Sequence, residues 1–488
     1  MRRTGGIVNA SRDSALWTRD AVSLAALIAE GTVTASEVVE AHLDRIERVD
    51  PEIGALTTVF TETARAAAAA ADRGRPAGPL HGVPVTVKNN LDVAGSPTTW
   101  GVAALGQAVA TADAPAVAAL RRAGAIVIGR TNMPDFATRW HTDNDAAGPT
   151  VNPWYPTRSP GGSSGGDAAA VAVGMTPLGL GTDFGGSLRV PAAFCGVASL
   201  GTTPGRVAVA SSLPGPAPAP TNQLFAAPGP LARTVRDLTT AYEVLCDSAD
   251  RRDPAWIPAR DTADTVRPAV AVALGADIDP QVRAALLRCA DALDRAGYPV
   301  AELDPPQLGE VAADYGRLVS TEVVVQRRDA MRQVGSAGLN TFVDAAIELF
   351  PPLDLAGYMS ALGERRTRRA AWSEFLAEYP IVLGPVSDEL PWPVGYDLGG
   401  IAQVATMYAA HRLTIAANYL GLPAVTVPAG ISAEGLPIGV QLITAPFAER
   451  RALTAAARIE AACPMPTPIS PAADPARRTR AEPTSSSR

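Results

Sequence analysis

Lysine is almost absent from this chain of 488 residues: arginine and lysine together number 42, and Lys88 is the one lysine among them. Arginine can replace lysine as a cation but not as a base, because its guanidinium stays protonated at any workable pH. Codon bias would explain the arginines, but it does not explain where the lysine lies. Lys88 ends the apolar, strand-like run 83–87 and precedes Asn89-Asn90. We therefore predict that the Lys88 amine is desolvated and catalytic.

Cysteine and histidine are also scarce, with four residues of each. The cysteines are too widely spaced for a disulfide framework or a metal cluster, which indicates reduced thiols and a cytoplasmic protein. The net charge of −7 and the lack of a basic block ahead of an arginine-rich tail argue against nucleic-acid binding. No apolar run is long enough to cross a membrane, and two early arginines lack the apolar stretch of a secretion signal. No metal and no cofactor are predicted.

The composition that remains suits a large buried core, with 47% hydrophobic and 19% charged residues. Strand-like runs alternate with helical patterns, which predicts an α/β fold. Thr34 and Glu37 form a capping-box pattern ahead of a helix over 38–46, and residues 401–419 are predicted as one long helix. The predicted strands are residues 83–87, 125–128, 270–274, 381–383, 425–427 and 439–443.

Two segments dense in glycine and serine, residues 159–167 and 179–189, lie next to compact apolar elements and not in a linker. Consecutive backbone amides in such loops form a nest that holds an anion, either a phosphate or an oxyanion. A phosphate loop needs Ser or Thr directly after its lysine, but Asn89 follows the one lysine here. The glycines that begin at Gly179 are out of register with the dinucleotide-binding fingerprint. An oxyanion hole beside a serine nucleophile is the better hypothesis.

Two serine mechanisms fit these loops. Residues 161–165 match the Gly-x-Ser-x-Gly elbow, in which Ser163 would be the nucleophile and a late histidine the base. The residues before it are too rich in proline for the buried strand that this elbow needs. His411, the late histidine, falls in a helical pattern where a partly exposed structural residue is expected. The alternative uses Lys88 as the base with Ser163 and Ser187 as hydroxyls, and it also accounts for the lone lysine.

Three blocks of the sequence, residues 79–95, 161–166 and 181–189, together resemble the amidase signature family, whose members are serine hydrolases with a Ser–cis-Ser–Lys triad. Weaker similarity extends over most of the remaining chain. The resemblance implies an α/β fold made of one large domain, in which a mixed, twisted β-sheet is sandwiched between helices.

The resemblance also implies how the chain is organised. The amidase signature domain would span residues 1–469. Within it, residues 250–380 would form a divergent and mainly helical region, whose part from 308 to 378 covers the active site. Residues 470–488, rich in Ala, Pro, Arg and Ser, are expected to be a disordered tail.

Three residues carry the triad that the resemblance implies. Ser187 matches the nucleophile, Ser163 matches the serine that follows a cis peptide bond and relays the proton, and Lys88 matches the base. A neutral lysine requires a pKa well below its ordinary value. Burial behind a glycine-rich loop, with no carboxylate contact, would lower that pKa.

Further positions match supporting roles in the family. Asp183 and Arg189 match a pair that braces the nucleophile loop, for which we favour a structural role. Ser164 either donates a hydrogen bond within the site or caps the next helix. The oxyanion hole matches the backbone amides of Phe184, Gly185, Gly186 and Ser187.

The sequence departs from the family pattern near the expected site. Asp167 stands where many members have a small or hydroxyl residue, although acidic residues also occur there, and Gly201 stands where many have a lysine that is not catalytic. The cluster Arg139-Trp140-His141 is unusual, and it either binds an acyl group or carboxylate or serves packing.

The predicted function is hydrolysis of a carboxylic amide to an acid plus ammonia or an amine, through an acyl-enzyme on Ser187. One alternative is the glutaminase subunit of a tRNA-dependent amidotransferase. Another is an α/β-hydrolase-type esterase that uses Ser163 and a histidine, and a third is a non-catalytic binding protein on the same scaffold. The predicted partner is a small-molecule amide, without nucleic acid or a membrane, and a homodimer is left open.

Overall fold

The alternation of strand and helix patterns produces one large mixed sheet covered by helices on both faces. A computed structural model describes residues 13–213, 215, 217–248, 267–275 and 277–471. The predicted tail from 472 onward, the chain start at 1–12 and residues 249–266 of the middle region lie outside the described residues. The strands are β1 (Leu56–Val59), β2 (Pro84–Lys88), β3 (Ile126–Thr131), β4 (Leu178–Asp183), β5 (Ala198–Gly201), β6 (Ala227–Ala232), β7 (Val270–Val272), β8 (Val300–Glu302), β9 (Ile381–Pro385), β10 (Ala424–Ile431) and β11 (Pro437–Thr444).

Helices connect and cover these strands. They are α1 (Ala21–Ala29), α2 (Ala35–Ile53), α3 (Thr61–Arg73), α4 (Pro115–Arg122), α5 (Gly165–Ala172), α6 (Arg189–Cys195), α7 (Pro220–Phe225), α8 (Val235–Cys246), α9 (Pro280–Arg295), α10 (Leu308–Glu322), α11 (Arg328–Val334), α12 (Ala337–Leu349), α13 (Leu355–Glu378), α14 (Ile401–Ala410), α15 (Arg412–Leu420) and α16 (Glu449–Ala462). Short 3-10 helices occur at Asp13–Thr18, Ala103–Leu105, Asp135–Ala137 and Tyr396–Leu398, and a short π-helix occurs at Val323–Arg327.

The sheet has 11 strands in the order β1-β3-β2-β4-β6-β5-β10-β11-β9-β7-β8. β2 runs parallel to both β3 and β4, the central strands are antiparallel, and β7 is parallel to β8 and β9. The predicted α/β class and the mixed sheet between helices are confirmed. Because β2 and β4 are parallel neighbours, their carboxyl ends at Lys88 and Asp183 lie at the same edge of the sheet, where α/β proteins place their sites.

All six predicted strands are present, but the sequence pattern missed β1, β4, β5, β6 and β8. β4 (Leu-Gly-Leu-Gly-Thr-Asp) and β6 (Ala-Pro-Gly-Pro-Leu-Ala) are rich in glycine or proline, which are depleted in strands. These two strands pair with each other along six positions in the interior of the sheet. Their conformation is therefore set by their neighbours and not by local propensity.

The predicted helix at 38–46 is confirmed and is longer at both ends. The capping box is complete, because Thr34 Oγ1 accepts from the Glu37 amide (3.1 Å) and Glu37 Oε2 accepts from the Thr34 amide (2.7 Å). The helix ends at Gly54, whose φ of 63° is the left-handed conformation that favours glycine at this position. The predicted single helix over 401–419 is wrong, since α14 and α15 are separated by a break at His411.

Apolar side chains fill both faces of the sheet. One cluster lies between the sheet and α4, α8, α9 and α16, and another lies under α2, α3 and α5. A third packs the sheet against the covering helices α10, α12, α14 and α15. The mainly helical character predicted for residues 308–378 is confirmed by α10 to α13. None of the helices in the described part of the chain combines the length and apolar composition of a membrane span.

Candidate active site

Lys88 lies at the end of β2 and is completely buried. Its Nζ donates hydrogen bonds to Ser163 Oγ at 2.7 Å and to Ser164 Oγ at 2.8 Å. A longer contact of 3.2 Å reaches Thr182 Oγ1 on β4. The one lysine of the chain therefore lies within hydrogen-bond reach of Ser163 and Ser164 in the first glycine-rich loop, as the lysine-based mechanism requires.

Burial lowers the pKa of Lys88 to about 7. The negative charges of Asp167 and then Asp183 act in the opposite direction and raise it, although neither carboxylate hydrogen-bonds to the amine. The sequence-based expectation concerned direct carboxylate contact; within the described residues Asp167 and Asp183 act on the amine through their charge and not through a hydrogen bond. A substantial fraction of neutral amine near neutral pH is what a base requires.

Ser163 lies in the turn that leads into α5, and the Gly162–Ser163 peptide bond is cis, as expected. The turn packs tightly on the chain segment around Trp140. A Cβ atom at position 162 would come within 2.6 Å of the Arg139 carbonyl oxygen and 2.8 Å of the His141 amide nitrogen. Only glycine fits there, so the backbone at residue 162 is held against its neighbour with Ser163 aimed at Lys88.

Ser164 occupies the N-cap position of α5, but its side chain makes no capping hydrogen bond. Its hydroxyl instead accepts from Lys88 and contacts the Thr182 carbonyl oxygen at 3.3 Å. Its amide donates to the Ser187 carbonyl oxygen at 3.0 Å, which ties the two glycine-rich loops together. Of the two roles expected for Ser164, the structure favours the hydrogen bond within the site.

Ser187 lies between the end of β4 and the start of α6, on the loop that the Ser164 amide holds. Its residue exposure is 7%, whereas Lys88, Ser163 and Ser164 are at 0%. Among these four residues, Ser187 is thus the one in contact with solvent.

Asp183 and Arg189 form a buried ion pair with contacts of 3.1 Å and 3.2 Å. Burial alone would raise the pKa of Asp183, but Arg189 and the amides of Leu188 and Gly186 lower it to about 2. The Arg189 guanidinium also donates to Gln441 Oε1 (2.8 Å) and to Asn418 Oδ1. The pair is ionised and fully bonded, and it ties the nucleophile loop to α15 and β11.

The amides expected to form the oxyanion hole differ in their availability. The Gly186 amide, assigned to the hole by the resemblance, donates to Asp183 Oδ1 at 2.7 Å. The amides of Phe184, Gly185 and Ser187 have no acceptor within the described residues. Gly186 still shapes the loop, because its φ is +99° and a Cβ there would come within 2.4 Å of Thr414.

The cluster Arg139-Trp140-His141 packs beneath the nucleophile loop. Arg139 is 1% exposed and pairs with Asp397 at 2.7 Å, so its charge is already compensated. The Trp140 indole donates to the Gly185 carbonyl oxygen at 2.8 Å, and His141 Nδ1 lies 2.9 Å from Ser159 Oγ. The packing role is thus favoured over binding of an acyl group or carboxylate.

The esterase alternative does not fit the geometry. Residues 159–164, which precede α5, form a loop and not the strand that the elbow requires. His411 is completely buried against Trp140, with ring centroids 4.8 Å apart, and the expectation of a partly exposed residue was wrong. Burial lowers the pKa of His411 to about 3, and neither ring nitrogen has a hydrogen-bond partner in the described structure. The partner of Ser163 is Lys88.

Several residues at the site were missed from the sequence. Thr182 and Asn90 lie inside the quoted blocks, and they join through a hydrogen bond of 2.9 Å from Asn90 Nδ2 to Thr182 Oγ1 beside Lys88. Tyr315 of α10 packs on Gly185 so closely that a Cβ at position 185 would lie 2.3 Å from its hydroxyl oxygen. Thr182 and Asn90 could have been found from the alignment of the strands that they end or follow. Tyr315 could not, because only the tertiary structure brings it to the loop.

Comparison with known proteins identifies the family to which the chain belongs. A family model described as Amidase matches residues 37–453. An indoleacetamide hydrolase of Bradyrhizobium diazoefficiens is 40% identical over 91% of this chain and 86% of its own length. The A subunit of the glutamyl-tRNA(Gln) amidotransferase of Lachnospira eligens is 34% identical over 89% of this chain and 96% of its own length. The solved structure of 6-aminohexanoate cyclic dimer hydrolase complexed with substrate aligns with a TM-score of 0.79 at 27% identity, over 92% of this chain and 98% of that chain.

Proposed function

The chain belongs to the amidase family and hydrolyses amide C–N bonds, and from that premise we propose that the reaction passes through an acyl-enzyme on Ser187. The observation that carries the proposal is the hydrogen bond of 2.7 Å between the buried Lys88 amine and Ser163 Oγ. A hydroxyl that is hydrogen-bonded to a neutral amine can pass on to that amine the proton of a second, more accessible serine.

In the proposed first step, Ser187 Oγ attacks the amide carbonyl carbon as its proton passes to Ser163 and the Ser163 proton passes to Lys88. The carbonyl oxygen becomes an oxyanion held by backbone amides, with those of Phe184, Gly185 and Ser187 as the available donors. Such donors typically contribute about 10²- to 10³-fold each to the rate. The proton then returns from Lys88 through Ser163 to the leaving nitrogen as the C–N bond breaks, which leaves an ester on Ser187. Water cleaves this ester by the same relay in reverse.

The acyl-enzyme can be assigned to one serine by mass spectrometry. Trypsin alone leaves Ser163 and Ser187 on one peptide, residues 159–189, because no lysine or arginine lies between Arg158 and Arg189. Additional cleavage before aspartate splits this peptide at Asp167 and Asp183 and isolates residues 183–189, whose one serine is Ser187. After reaction with a fluorophosphonate or a slow substrate, we expect the added mass on that peptide. Added mass on residues 159–166 would contradict the proposal and revive Ser163 as the nucleophile.

For the substrate, we propose an amide with an aromatic or similarly apolar acyl group. Phe184 is half-buried on the nucleophile loop, and its ring centroid lies 5.9 Å from that of Phe225 and 5.8 Å from that of Tyr315. Aromatic side chains around a reacting carbonyl favour an apolar acyl group through burial. The relative named for hydrolysis of indoleacetamide supports the same class.

The glutaminase subunit of a tRNA-dependent amidotransferase is the second candidate, because relatives named for that enzyme are 34% identical over most of this chain. The two functions differ in substrate and in their need for a partner. We expect the isolated protein to hydrolyse an arylacetamide with a kcat/KM far above that for L-glutamine. Activity confined to glutamine, or appearing only when a second protein is added, would favour the amidotransferase function.

We further propose a cytoplasmic location and one domain over residues 1–469. The four cysteines, Cys195, Cys246, Cys289 and Cys463, are free thiols, which supports a reducing compartment. The sheet draws strands from residue 56 to residue 444, which supports a single domain.

A further inference from the structure

Asp167 is a buried acid that the mechanism above does not use. It lies in the first turn of α5, three residues after Ser164, and its exposure is 0%. Neither oxygen of its carboxyl group has a hydrogen-bond partner within the described residues. Buried acids are normally paired or fully hydrogen-bonded, so an unpartnered one requires an explanation.

The strands beneath α5 bring Asp167 to the sheet face that carries Lys88. Thr86 and Lys88 are two residues apart on β2, so their side chains lie on the same face. Thr86 is aligned with Gly179 of β4, and a Cβ at position 179 would lie 3.3 Å from Asp167 Oδ1 and 3.5 Å from Thr86 Oγ1. The Asp167 carboxyl group thus lies over Gly179, beside Thr86, on the face of β2 from which Lys88 projects.

Thr131 of β3 completes this buried polar pocket. It is aligned with Lys88 across the β2–β3 pair, and its hydroxyl lies close to the Asp167 carboxyl group, outside good hydrogen-bond geometry. The hydroxyls of Thr86 and Thr131 have no other partner in the described structure. Two hydroxyls and a carboxyl group are therefore arranged next to Lys88 without satisfying one another.

The charges around this pocket come from few residues. Burial raises the pKa of Asp167 well above its ordinary value, while the charge of Lys88 first, then the Thr131 hydroxyl and the backbone of Asp167, and last the charge of Arg130 lower it. Arg130 lies on the opposite face of β3 from Thr131, and its guanidinium donates to the Leu91 carbonyl oxygen at 2.7 Å. Asp183 of β4 is neutralised by Arg189 of α6. Strand β6, which also packs on α5, carries no charged residue.

We propose that Asp167 is a positioning residue that acts through Lys88, and that its carboxyl group sets the pH at which the Lys88 amine becomes a base. At rest the two groups share one proton. When that proton is on Asp167, the amine is neutral and accepts the proton that Ser187 loses through Ser163. The amine later returns this proton to the leaving nitrogen, so the Asp167–Lys88 pair ends each cycle with the one proton it began with. The proposal rests on the proposed role of Lys88 as base.

The single lysine allows a direct test, since incorporation of ¹³C-labelled lysine gives one labelled side chain in the whole protein. The chemical shift of the Lys88 Cε group, followed by NMR against pH, reports the protonation of its amine without any need for turnover. In Asp167→Asn the negative charge beside the amine is lost. We therefore expect the Lys88 titration midpoint to fall by about one pH unit or more. The pH at which kcat/KM falls on the acid side should shift to lower pH by the same amount.

Two further variants make the test specific. Asp237→Asn removes another buried acid in the first turn of a helix, α8, where Asp237 accepts hydrogen bonds from the amides of Ala21 and Val22. It should leave the Lys88 midpoint unchanged. Asp167→Ser removes the same charge with a smaller side chain, and it should reproduce the fall in the midpoint if the asparagine variant does not fold.

The outcomes separate this proposal from the one it rests on. An unchanged Lys88 midpoint in folded Asp167→Asn or Asp167→Ser would overturn it and leave Asp167 as a residue of the helix start alone. In a second outcome, the Lys88 titration midpoint falls while the acid side of the kcat/KM profile stays at the same pH in every variant. That result would keep the coupling of Asp167 and Lys88 and would show that Lys88 is not the base. If the acid side of the profile follows Lys88 in the wild type while Asp167 has no effect, Lys88 keeps its role and the inference about Asp167 fails.

Discussion

The Lys88 pocket and the Asp183–Arg189 pair lie at the ends of adjacent strands and are almost equally buried, yet burial has opposite consequences in the two places. Asp183 has a guanidinium and backbone amides around its carboxylate, and its pKa is lowered to about 2. Lys88 has neutral hydroxyls as hydrogen-bond partners, and desolvation lowers its pKa to about 7. A buried ionisable group is fixed in its charged form when it is fully paired, and becomes a proton acceptor or donor when it is not.

The difference follows the geometry of the two loops. The carboxylate of Asp183 lies inside the turn that carries Ser187, where it collects the amides of Gly186 and Leu188. Lys88 comes from the neighbouring strand, and its hydrogen-bond partners are side-chain hydroxyls; the Asp167 carboxylate acts on it through charge and without a hydrogen bond. The charge of Asp183 therefore holds the backbone of the loop that carries Ser187 in place, whereas the Lys88 amine can gain or lose its proton.

The strongest test of this comparison places a permanent charge at the lysine position. Lys88→Arg should lower kcat/KM for an amide by about 10²- to 10⁴-fold, because guanidinium cannot accept the relayed proton. The protein should still fold, since Asp167 lies nearby to accompany the charge. Steady-state kinetics, with circular dichroism as the check on folding, would measure this. Near-wild-type turnover in the folded variant would show that the one lysine of this chain is not the base.

Breaking the Asp183–Arg189 ion pair should have its main effect on the stability of the protein. Arg189→Met leaves the buried Asp183 carboxylate without its counter-charge, and we expect a loss of about 3–5 kcal/mol in the free energy of unfolding. Arg139→Met is the matched control, because it breaks another buried pair, Arg139–Asp397 at 2.7 Å. Denaturant unfolding should give losses of similar size for the two variants. A negligible loss in Arg189→Met would mean that the pair does not hold the loop.

The pH dependence of kcat/KM tests the Lys88 amine in the protein without any substitution. Because the pKa of Lys88 is lowered to about 7, the neutral amine dominates above this pH and is protonated below it. We expect kcat/KM for a neutral amide to fall by about tenfold per pH unit on the acid side of roughly pH 7. Assays after return to pH 8 would show that the loss is reversible titration and not unfolding. A profile that stays flat down to pH 5 would contradict the assignment of the base.

The smallest effect is expected from the second hydroxyl on Lys88. Ser164→Ala removes the hydrogen bond of 2.8 Å that the Lys88 amine donates to Ser164 Oγ but leaves the one that it donates to Ser163 Oγ. We expect a fall in kcat/KM of about tenfold or less, in line with the loss of one hydrogen bond. Ser163→Ala, measured beside it, should cost far more because it interrupts the relay. Equal losses in the two variants would mean that either serine can pass the proton.

Much of the fold was predictable because the relevant signals are local. The capping box before α2 and the β-branched strands β2, β10 and β11 follow from residues that are adjacent in the chain. The strands β4 and β6 were missed because their glycines and prolines are compatible with a strand only inside the finished sheet. The break at His411 was missed for a similar reason, since apolar periodicity continues through it.

For the site, the sequence by itself determined which groups could do the chemistry. One lysine, two glycine-rich loops with Ser163 and Ser187, and the match of three blocks to a known family indicated the triad without any coordinates. These signals depend on residue type and spacing, which can be read directly from the sequence.

Only the tertiary structure decided how these groups are tuned. It engaged the Gly186 amide with Asp183, placed Tyr315 on Gly185, and brought Asp167 to the face of the sheet that carries Lys88. The pKa of a group, the availability of an amide and the pairing of a buried charge depend on the residues within a few ångströms. Those residues can come from any part of the chain. That neighbourhood exists only once the strands have aligned and the helices have packed on them.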